Sequence, residues 1–409
     1  MKRKSLLLAS EVGIPSNRGT LYKAWHQIYS STPKFQRLNT AGIDGITLEV
    51  FRSNLDGNLR SISARMRSSD SYEFSPLRPI RVKKPSGKYR LICIPNVADR
   101  VVQKAVQIAL FGNRRWRFTN FNGTNYGFVK GKKVSDAVKA AVEYRNHHPF
   151  VYKTDIKSFF DNIDRVMLKE KIRQTVPHKS LHPLLCAAVD CEIAHVSDHQ
   201  YKAIRELGVE WGKGVRQGLP LSPLFSNFYL NSFDELVRKS GIDAVRYADD
   251  MIFFSDTEDG CYRLHEFCKD RLEAVGLTIP ELGPDSKSMI VKPNEPIEFL
   301  GIQLEPIAGG QYKPAISADQ KEHIRNSIIN FADVTYLSEH RINIISYAQR
   351  LRSLVAGYDA AYRDCLDTTV LVGSMIQWAR KACRELFVNH FHIDFDEIDD
   401  KARQFIDVV

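Results

Sequence analysis

The chain switches repeatedly between the alternation of hydrophobic and polar residues typical of strands and the wider spacing typical of helices. Strand-like stretches lie at 78–84, 88–95, 150–154, on both sides of 247–250, and at 297–304, with Tyr312 in a partner strand. Helix-like stretches lie at 47–59, 99–110, 134–146, 221–237 and 259–275, and again after Ser317, where they predict three or four bundled helices. Thr47 and Ser135 are the expected N-caps of two helices. Because the two kinds of segment mix without a βαβ alternation, we predict an α+β fold.

The polar turn at Tyr247–Asp250 interrupts two hydrophobic strands and places two carboxylates side by side. Acidic residues are common in turns, so an ordinary solvated turn is one interpretation. Against a hydrophobic hairpin, however, two adjacent carboxylates are costly unless a cation neutralises them. Asp155 ends another predicted strand. Three carboxylates at neighbouring strand ends could hold two Mg²⁺ ions about 4 Å apart, as in-line phosphoryl transfer requires.

Charge and length favour a polyanionic partner. The 409 residues carry a formal net charge of +10, and their 43% hydrophobic content is ordinary for a protein with two or three packed units. Basic residues form three clusters, at Arg114, Arg115 and Arg117, at Lys132 and Lys133, and at Arg350 and Arg352. The first cluster includes a tryptophan and the second follows a glycine. Such clusters are either solvated faces or surfaces for nucleic acid.

Cysteine usage indicates a reducing compartment. The seven cysteines are odd in number and include no CxxC pair, which argues against a disulfide scaffold or a zinc ribbon. The apolar stretch after the basic N-terminus is too short for a signal peptide, and no stretch approaches the ~20 apolar residues of a membrane span. We therefore expect a soluble, cytoplasmic protein.

Seven motifs occur in the order found in bacterial reverse transcriptases of the group II intron-like lineage, which the chain resembles over roughly residues 40–305. The motifs are Gly42–Gly45, Arg81–Pro95, Tyr126–Gly131, Lys153–Ile163, Arg216–Pro223, Tyr247–Asp250 and Phe299–Gly301. The resemblance implies a right-hand polymerase with fingers, palm and a C-terminal helical thumb. We predict an N-terminal extension at 1–40, fingers with the start of the palm at 41–150, the palm at 151–314 with a helical insertion at 161–215, and the thumb at 315–409.

The resemblance also assigns residues. It implies RNA-directed DNA polymerase activity with Asp155, Asp249 and Asp250 as catalytic carboxylates, and with Ile156 beside them around two Mg²⁺ ions, for which Mn²⁺ can substitute. The implied nucleotide-binding residues are Lys88, Arg90, Phe160, Gln217 and Tyr247. Phe160 would be a steric gate against the ribose 2′-hydroxyl, with a core aromatic as the alternative. Lys83 and Lys287 join the basic clusters above as residues expected to contact nucleic acid.

Within this lineage the chain most resembles stand-alone defence-associated reverse transcriptases, and among them the class-two type. Such enzymes copy a structured non-coding RNA partner into cDNA from deoxynucleotides and protect bacteria against phage. Intron enzymes carry longer C-terminal domains, and retron enzymes usually have a VTG tripeptide where this chain has Leu371-Val372-Gly373. The alternatives are a retron-like enzyme, an RNA-binding protein without catalysis, an RNA-making polymerase that Phe160 disfavours, and an untemplated or protein-primed DNA polymerase. The last would use a hydroxyl such as that of Tyr336, Tyr347 or Tyr358.

Overall fold

The computed structural model describes residues 15–68, 72–84, 87–112, 123–393, 397, 399 and 401. The helices of its N-terminal half are α1 (Arg18–Ser31), α2 (Lys34–Asn39), α3 (Leu48–Ser53), α4 (Leu55–Ser68), α5 (Val97–Gly112), α6 (Val134–His147), α7 (Phe159–Asn162), α8 (Arg165–Thr175), α9 (His182–Val189) and α10 (Asp198–Arg205). Those that follow are α11 (Ser222–Lys239), α12 (Glu258–Glu273), α13 (Ala318–Ile329), α14 (Val334–Glu339), α15 (Ile344–Tyr362) and α16 (Thr368–Phe391).

Within the described residues, the strands form three small sheets. They are β1 (Arg78–Lys83), β2 (Tyr89–Ile94), β3 (Phe150–Asp155), β4 (Ala244–Tyr247), β5 (Asp250–Ser255), β6 (Met289–Val291), β7 (Ile297–Phe299), β8 (Ile302–Pro306) and β9 (Tyr312–Ala315). The sheet orders are β1-β2, β4-β5-β3-β6 and β7-β8-β9. Strands and helices are mixed without a doubly wound pattern, so the predicted α+β class is confirmed.

Three local predictions were wrong, each because backbone geometry overrode the hydrophobic pattern. The predicted helix at 47–59 begins at its expected cap, whose Thr47 side chain accepts a hydrogen bond from the Val50 N–H at 3.2 Å, but it breaks at Asn54 into α3 and α4. The predicted strand at 297–304 is a hairpin, because Leu300 and Gly301 have φ values of 54° and 78°. Ser135 lies inside the first turn of α6 and is not its N-cap.

The chain divides into two compact units. The first contains residues 1–133, 152–253 and 259–289, and the second contains 134–151, 254–258 and 290–409. This division follows packing, so the functional boundaries predicted at residues 40, 150 and 314 stay predictions.

Each unit has its own apolar core. In the first unit, one core cluster joins the β1–β2 hairpin to the segment around α10, through residues such as Leu77, Cys93, Ile193 and Val209. In the second unit, α13, α15 and α16 pack around Ile324, Leu351 and Met375, which are fully buried. Within the described residues, no helix is both long and apolar enough to span a membrane.

Candidate active site

The turn at Ala248 and Asp249 joins β4 to β5 as a two-residue hairpin in which Tyr247 pairs with Asp250. Ala248 has a φ of 59°, a left-handed conformation that side chains other than glycine adopt at a cost. Such a conformation persists only where the surroundings hold it. The turn that carries the two adjacent carboxylates is therefore held by its neighbours.

A buried ion pair supplies part of that support. Arg246 on β4 and Asp234 on α11 are 1% and 0% exposed, and the Arg246 guanidinium contacts both carboxylate oxygens of Asp234, with Nε 2.6 Å from Oδ1. The remaining nitrogen, Nη1, donates to the Ala248 carbonyl at 2.8 Å. Burial raises the pKa of the Asp234 carboxyl, and the Arg246 charge opposes that rise. Because a planar guanidinium serves both partners at once, the pair fixes the turn relative to α11.

The segment at 124–128 runs along β4 and closes over the turn. The Tyr126 N–H donates to the Arg246 carbonyl at 2.8 Å, and the Arg246 N–H donates to the Thr124 carbonyl at 2.7 Å. Gly127 lies so close to the turn that a Cβ there would be 2.4 Å from the Ala248 nitrogen. This approach explains why the motif needs glycine at position 127.

Asp155 lies at the end of β3, as predicted, and is 7% exposed. Its carboxylate forms an ion pair with the Lys287 ammonium. Burial of that ammonium lowers the pKa of Lys287, but the hydrogen bond to Asp155 and the negative charges of Asp155, Asp250 and Asp249 outweigh it, so the pKa lies above its usual value. Lys287, which was predicted to contact nucleic acid, is therefore placed beside the predicted catalytic carboxylates and paired with Asp155.

The three aspartates interact electrostatically. Burial is the largest cause that raises the pKa of the Asp249 carboxyl. A backbone hydrogen bond opposes the rise, while the negative charges of Asp250 and Asp155 add to it. Three carboxylates facing one ammonium leave an excess of negative charge, and carboxylate oxygens are the donors that Mg²⁺ prefers. The donor set therefore fits a divalent cation.

The carboxylates are not assembled into a closed ligand cage. Within the part of the chain that the structure describes, no group of three His, Cys, Asp or Glu side chains is placed to hold a metal ion. Ile156 follows Asp155, and because its side chain is a hydrocarbon, only its backbone carbonyl could serve as a ligand.

Phe160 lies on the short helix α7, five residues beyond Asp155. Phe159 is 2% exposed and belongs to the core, whereas Phe160 is half-buried, and the two ring centroids are 5.3 Å apart. The Phe160 carbonyl accepts a hydrogen bond from the Val215 N–H at 2.7 Å. The ring predicted to be the gate is therefore partly accessible, and the backbone of Phe160 is bonded to the segment that carries Gln217.

Gln217 bridges to the β1–β2 hairpin. Its carbonyl accepts a hydrogen bond from the Cys93 N–H at 2.7 Å, and it is partly exposed. A Cβ at Gly218 would be 2.4 Å from the Cys93 carbonyl oxygen and 3.1 Å from the Ile92 side chain. Arg90 is exposed and shares the Ile92 face of β2 by strand alternation, so it lies on the side of the hairpin that meets this segment.

The other predicted basic residues lie on exposed surfaces. Lys83 and Lys88 flank the tip of the β1–β2 hairpin, and Lys132 and Lys133 follow the 124–128 segment, where the Lys132 ammonium lies 4.1 Å from the centre of the Tyr126 ring. Tyr247 is half-buried, 6.1 Å from the Phe128 ring. In the second unit, Arg350 and Arg352 are exposed on α15. The cluster of Arg114, Arg115 and Arg117 lies outside the described residues.

Comparison with known proteins decides the family. Residues 82–304, more than half of the chain, match the family described as "Reverse transcriptase (RNA-dependent DNA polymerase)". The chain belongs to the reverse transcriptase family. The matched range includes all three aspartates, α7, and the Gln217 segment. As expected for this family, the mixed helices and small sheets form a right-hand polymerase fold.

Relatives of this reverse transcriptase come from bacteria and introns. It is 27% identical to Protein YkfC of Escherichia coli K12 over 49% of this chain and 51% of that protein. It is 26% identical to the group II intron-encoded protein LtrA of Lactococcus lactis over 53% of this chain and 33% of LtrA. It is 24% identical to the Retron Ec83 reverse transcriptase of Escherichia coli over 47% of this chain and 57% of that protein. The chain thus spans about half the length, or less, of the first two.

The residues that hold the Ala248 turn and the segment before Gln217 in place were not identified from the sequence. Arg246 carried a signal, because a charged residue between Val245 and Tyr247 in an apolar strand needs a buried partner. Nothing in the pattern identified that partner as Asp234. Glu192 and Arg165, which contact the segment before Gln217, had no signal in the sequence.

Proposed function

We propose that this protein is an RNA-directed DNA polymerase that joins deoxynucleotides by two-metal phosphoryl transfer. The observation that carries the proposal is the electrostatic coupling of Asp155, Asp249 and Asp250, which lie at the ends of strands of one sheet. The Phe160 ring is half-buried, and the Phe160 carbonyl accepts a hydrogen bond from the Val215 N–H, two residues before Gln217. Together these groups offer carboxylates for cations and a surface for an incoming deoxynucleotide.

The proposed cofactor is a pair of Mg²⁺ ions, for which Mn²⁺ can substitute. Asp155, Asp249, Asp250 and the Ile156 carbonyl would hold them. Such ions activate the attacking hydroxyl and stabilise the leaving oxygen. Lys287 neutralises part of the carboxylate charge, because its ammonium pairs with Asp155. Arg90 and Lys88 are the proposed contacts to the triphosphate, since guanidinium and ammonium groups suit phosphate oxygens.

The proposed template is a structured non-coding RNA, copied into cDNA in anti-phage defence in the bacterial cytoplasm. The resemblance to defence-associated reverse transcriptases supports this role, and the net charge of +10 suits a nucleic-acid partner. The seven cysteines include no CxxC pair, which suits a reducing compartment. The exposed groups Lys83, Lys132, Lys133, Arg350 and Arg352 are proposed to contact the RNA or the cDNA backbone.

Two alternatives are open to the same test. A retron-like role draws on the similarity to the Retron Ec83 enzyme. Protein priming would need an accessible hydroxyl, and the candidates differ in this respect. Tyr347 is 2% exposed in the core of the second unit, while Tyr336 and Tyr358 are half-buried and pack against that core. Burial raises the pKa of Tyr336, which makes its hydroxyl a poorer nucleophile.

Sequencing the RNA and DNA that co-purify with the protein from its host tests the template proposal. We expect one discrete RNA with wild-type protein and with Asp249→Ala, and DNA complementary to that RNA with wild type only. DNA without a matching RNA, or DNA attached covalently to the protein, would instead support the untemplated or protein-primed alternative.

A further inference from the structure

In the helical insertion between α7 and Gln217, the carboxylate of Glu192 accepts hydrogen bonds from four residues. The Glu192 Oε1 atom accepts from Arg216 Nε at 2.8 Å and from the Ile193 N–H at 2.9 Å. The Oε2 atom accepts from Arg165 Nη2 at 2.8 Å, from the Gly212 N–H at 2.9 Å and from Arg216 Nη2 at 3.1 Å. Hydrogen bonds between charged groups of this kind are among the strong ones in proteins.

Two of these donors lie in the segment that leads to Gln217. Gly212 and Gly214 have φ values of 77° and 71°, so the backbone here uses a conformation that only glycine adopts without cost. Arg165 contacts this segment a second time, because its Nε donates to the Gly214 carbonyl at 2.8 Å. The Arg216 guanidinium is 1% exposed and the Glu192 side chain 25% exposed. Arg216 is thus buried with Glu192 as its anionic partner.

The backbone of Glu192 is anchored to the start of the hairpin. The Leu77 N–H donates to the Glu192 carbonyl at 2.8 Å, and the Ala194 N–H donates to the Leu77 carbonyl at 2.9 Å. Leu77 and Ile193 are both in the apolar core cluster of the hairpin. The carboxylate therefore projects from a fixed point of the first unit.

The far end of the segment connects to the proposed nucleotide site. The Gly214 N–H donates to the Ile163 carbonyl at 3.0 Å and the Val215 N–H to the Phe160 carbonyl at 2.7 Å. The Gln217 carbonyl accepts from Cys93 on β2. A shift of residues 212–216 would move the Phe160 helix and Gln217 together.

We propose that Glu192 is a positioning residue for nucleotide selection, and that the helical insertion serves to present it. Its carboxylate holds residues 212–216 through Arg216, Arg165 and the Gly212 N–H, and so sets the position of Gln217 and Phe160 for the incoming deoxynucleotide. This inference rests on the proposed polymerase function for its kinetic consequence. Its structural consequence, a segment released when the carboxylate charge is lost, does not depend on catalysis.

Glu192→Gln is the direct variant, because it keeps the shape of the side chain and removes the charge. The buried Arg216 guanidinium then loses its hydrogen-bonded anion, and the amide cannot accept as many hydrogen bonds as the carboxylate. Asp190→Asn is the matched control: it lies two residues away in the same insertion and pairs with Lys169 on α8 at 2.6 Å.

Two measurements on the full chain test the inference. The first is amide hydrogen exchange at 212–217 and Cys93 in the nucleic-acid-free protein. We expect exchange there to rise at least about 10-fold in Glu192→Gln and to stay unchanged in Asp190→Asn. The second is single-nucleotide extension, in which Glu192→Gln should raise KM for dNTP about 10-fold, change kcat less, and weaken discrimination against rNTP.

The outcomes separate this inference from the function on which it draws. Unchanged exchange at 212–217 in Glu192→Gln, or an equal rise in both variants, would overturn the positioning role whether or not the protein polymerises DNA. Faster exchange with an unchanged KM and unchanged sugar discrimination would overturn its role in nucleotide selection. If wild-type protein extends no primer, the polymerase proposal fails, while the exchange result still decides whether Glu192 holds the segment.

Discussion

At the residue scale, Phe159 and Phe160 show how neighbouring rings of one helix divide their roles. Phe159 is 2% exposed, while Phe160 is half-buried beside the segment that carries Gln217. The family resemblance implied that Phe160 is a steric gate, a role that stays a prediction. An aromatic ring in contact with the incoming nucleotide would be a large rigid obstacle for an additional hydroxyl on the sugar.

Phe160→Val should increase ribonucleotide incorporation relative to deoxynucleotide incorporation by about 10-fold or more, because the smaller side chain leaves room for a 2′-hydroxyl. The measurement is the ratio of kcat/KM for a matched rNTP and dNTP in primer extension. Phe159→Leu is the control for core packing and should leave the ratio unchanged. Equal ratios for Phe160→Val and wild type would reject the gate.

Asp161 gives a prediction about pH. Burial raises the pKa of this carboxyl to about 6, and the charges of Arg216 and Lys84 oppose the rise. Between pH ~4 and ~6 the folded chain keeps a proton that the unfolded chain has lost, so this group makes the free energy of unfolding fall as pH rises. Asp161→Asn should therefore gain about 1–3 kcal/mol over wild type at pH 7 and little at pH 4.

Urea unfolding of Asp161→Asn and wild type at both pH values measures this difference. Asp164→Asn serves as the comparison. Asp164 is a neighbouring exposed N-cap whose carboxylate accepts a hydrogen bond from the Met167 N–H at 2.7 Å. A difference between Asp161→Asn and wild type that is the same at pH 4 and pH 7 would contradict the raised pKa.

At the element scale, the turn at Ala248 depends on two neighbouring elements. The Arg246–Asp234 pair reaches it from α11, and the 124–128 segment closes over it. Local sequence explains only the polarity of the turn. Its left-handed Ala248 is a consequence of tertiary contacts, which is why the motif cannot be understood from the hairpin alone.

Gly127→Ala should reduce primer extension at least about 10-fold, because the added Cβ would be 2.4 Å from the Ala248 nitrogen and would displace the turn. Gly373→Ala is the matched control, since a Cβ there in α16 meets nothing within 4 Å. Extension rates with folded Gly127→Ala and Gly373→Ala proteins make the measurement. Equal activity of the two variants would contradict the close approach.

The elements also show where sequence prediction stops. Hydrophobic spacing predicted β1, β2, β3, the β4–β5 hairpin and most helices, because burial decides those positions. It failed at 297–304, where the pattern stays apolar through a turn that Leu300 and Gly301 make with positive φ. The roles of the three aspartates and of Phe160 were predicted from motifs and stay predictions. Asp234 and Glu192 were not found from the sequence, because their partners are distant in sequence and no local pattern encodes the pairing.

At the scale of the whole molecule, the proposed chemistry lies within one compact unit. The first unit contains all the residues proposed to act in catalysis or nucleotide selection, namely Asp155, Asp249, Asp250, Phe160, Gln217 and Glu192. The second unit has a separate core built from helices and the three-stranded sheet. The central claim therefore depends on whether the carboxylates of the first unit carry polymerase chemistry in the intact chain.

Primer extension on an RNA template, with dNTPs and Mg²⁺, by wild type, Asp249→Asn and Asp256→Asn tests that claim most directly. Asp256 follows β5 with an exposed side chain and is the matched control for loss of one carboxylate. We expect extension by wild type and Asp256→Asn, dependent on added Mg²⁺, and a loss of about 1,000-fold or more in folded Asp249→Asn. Extension by Asp249→Asn at the wild-type rate would contradict the assignment of this site as the polymerase centre.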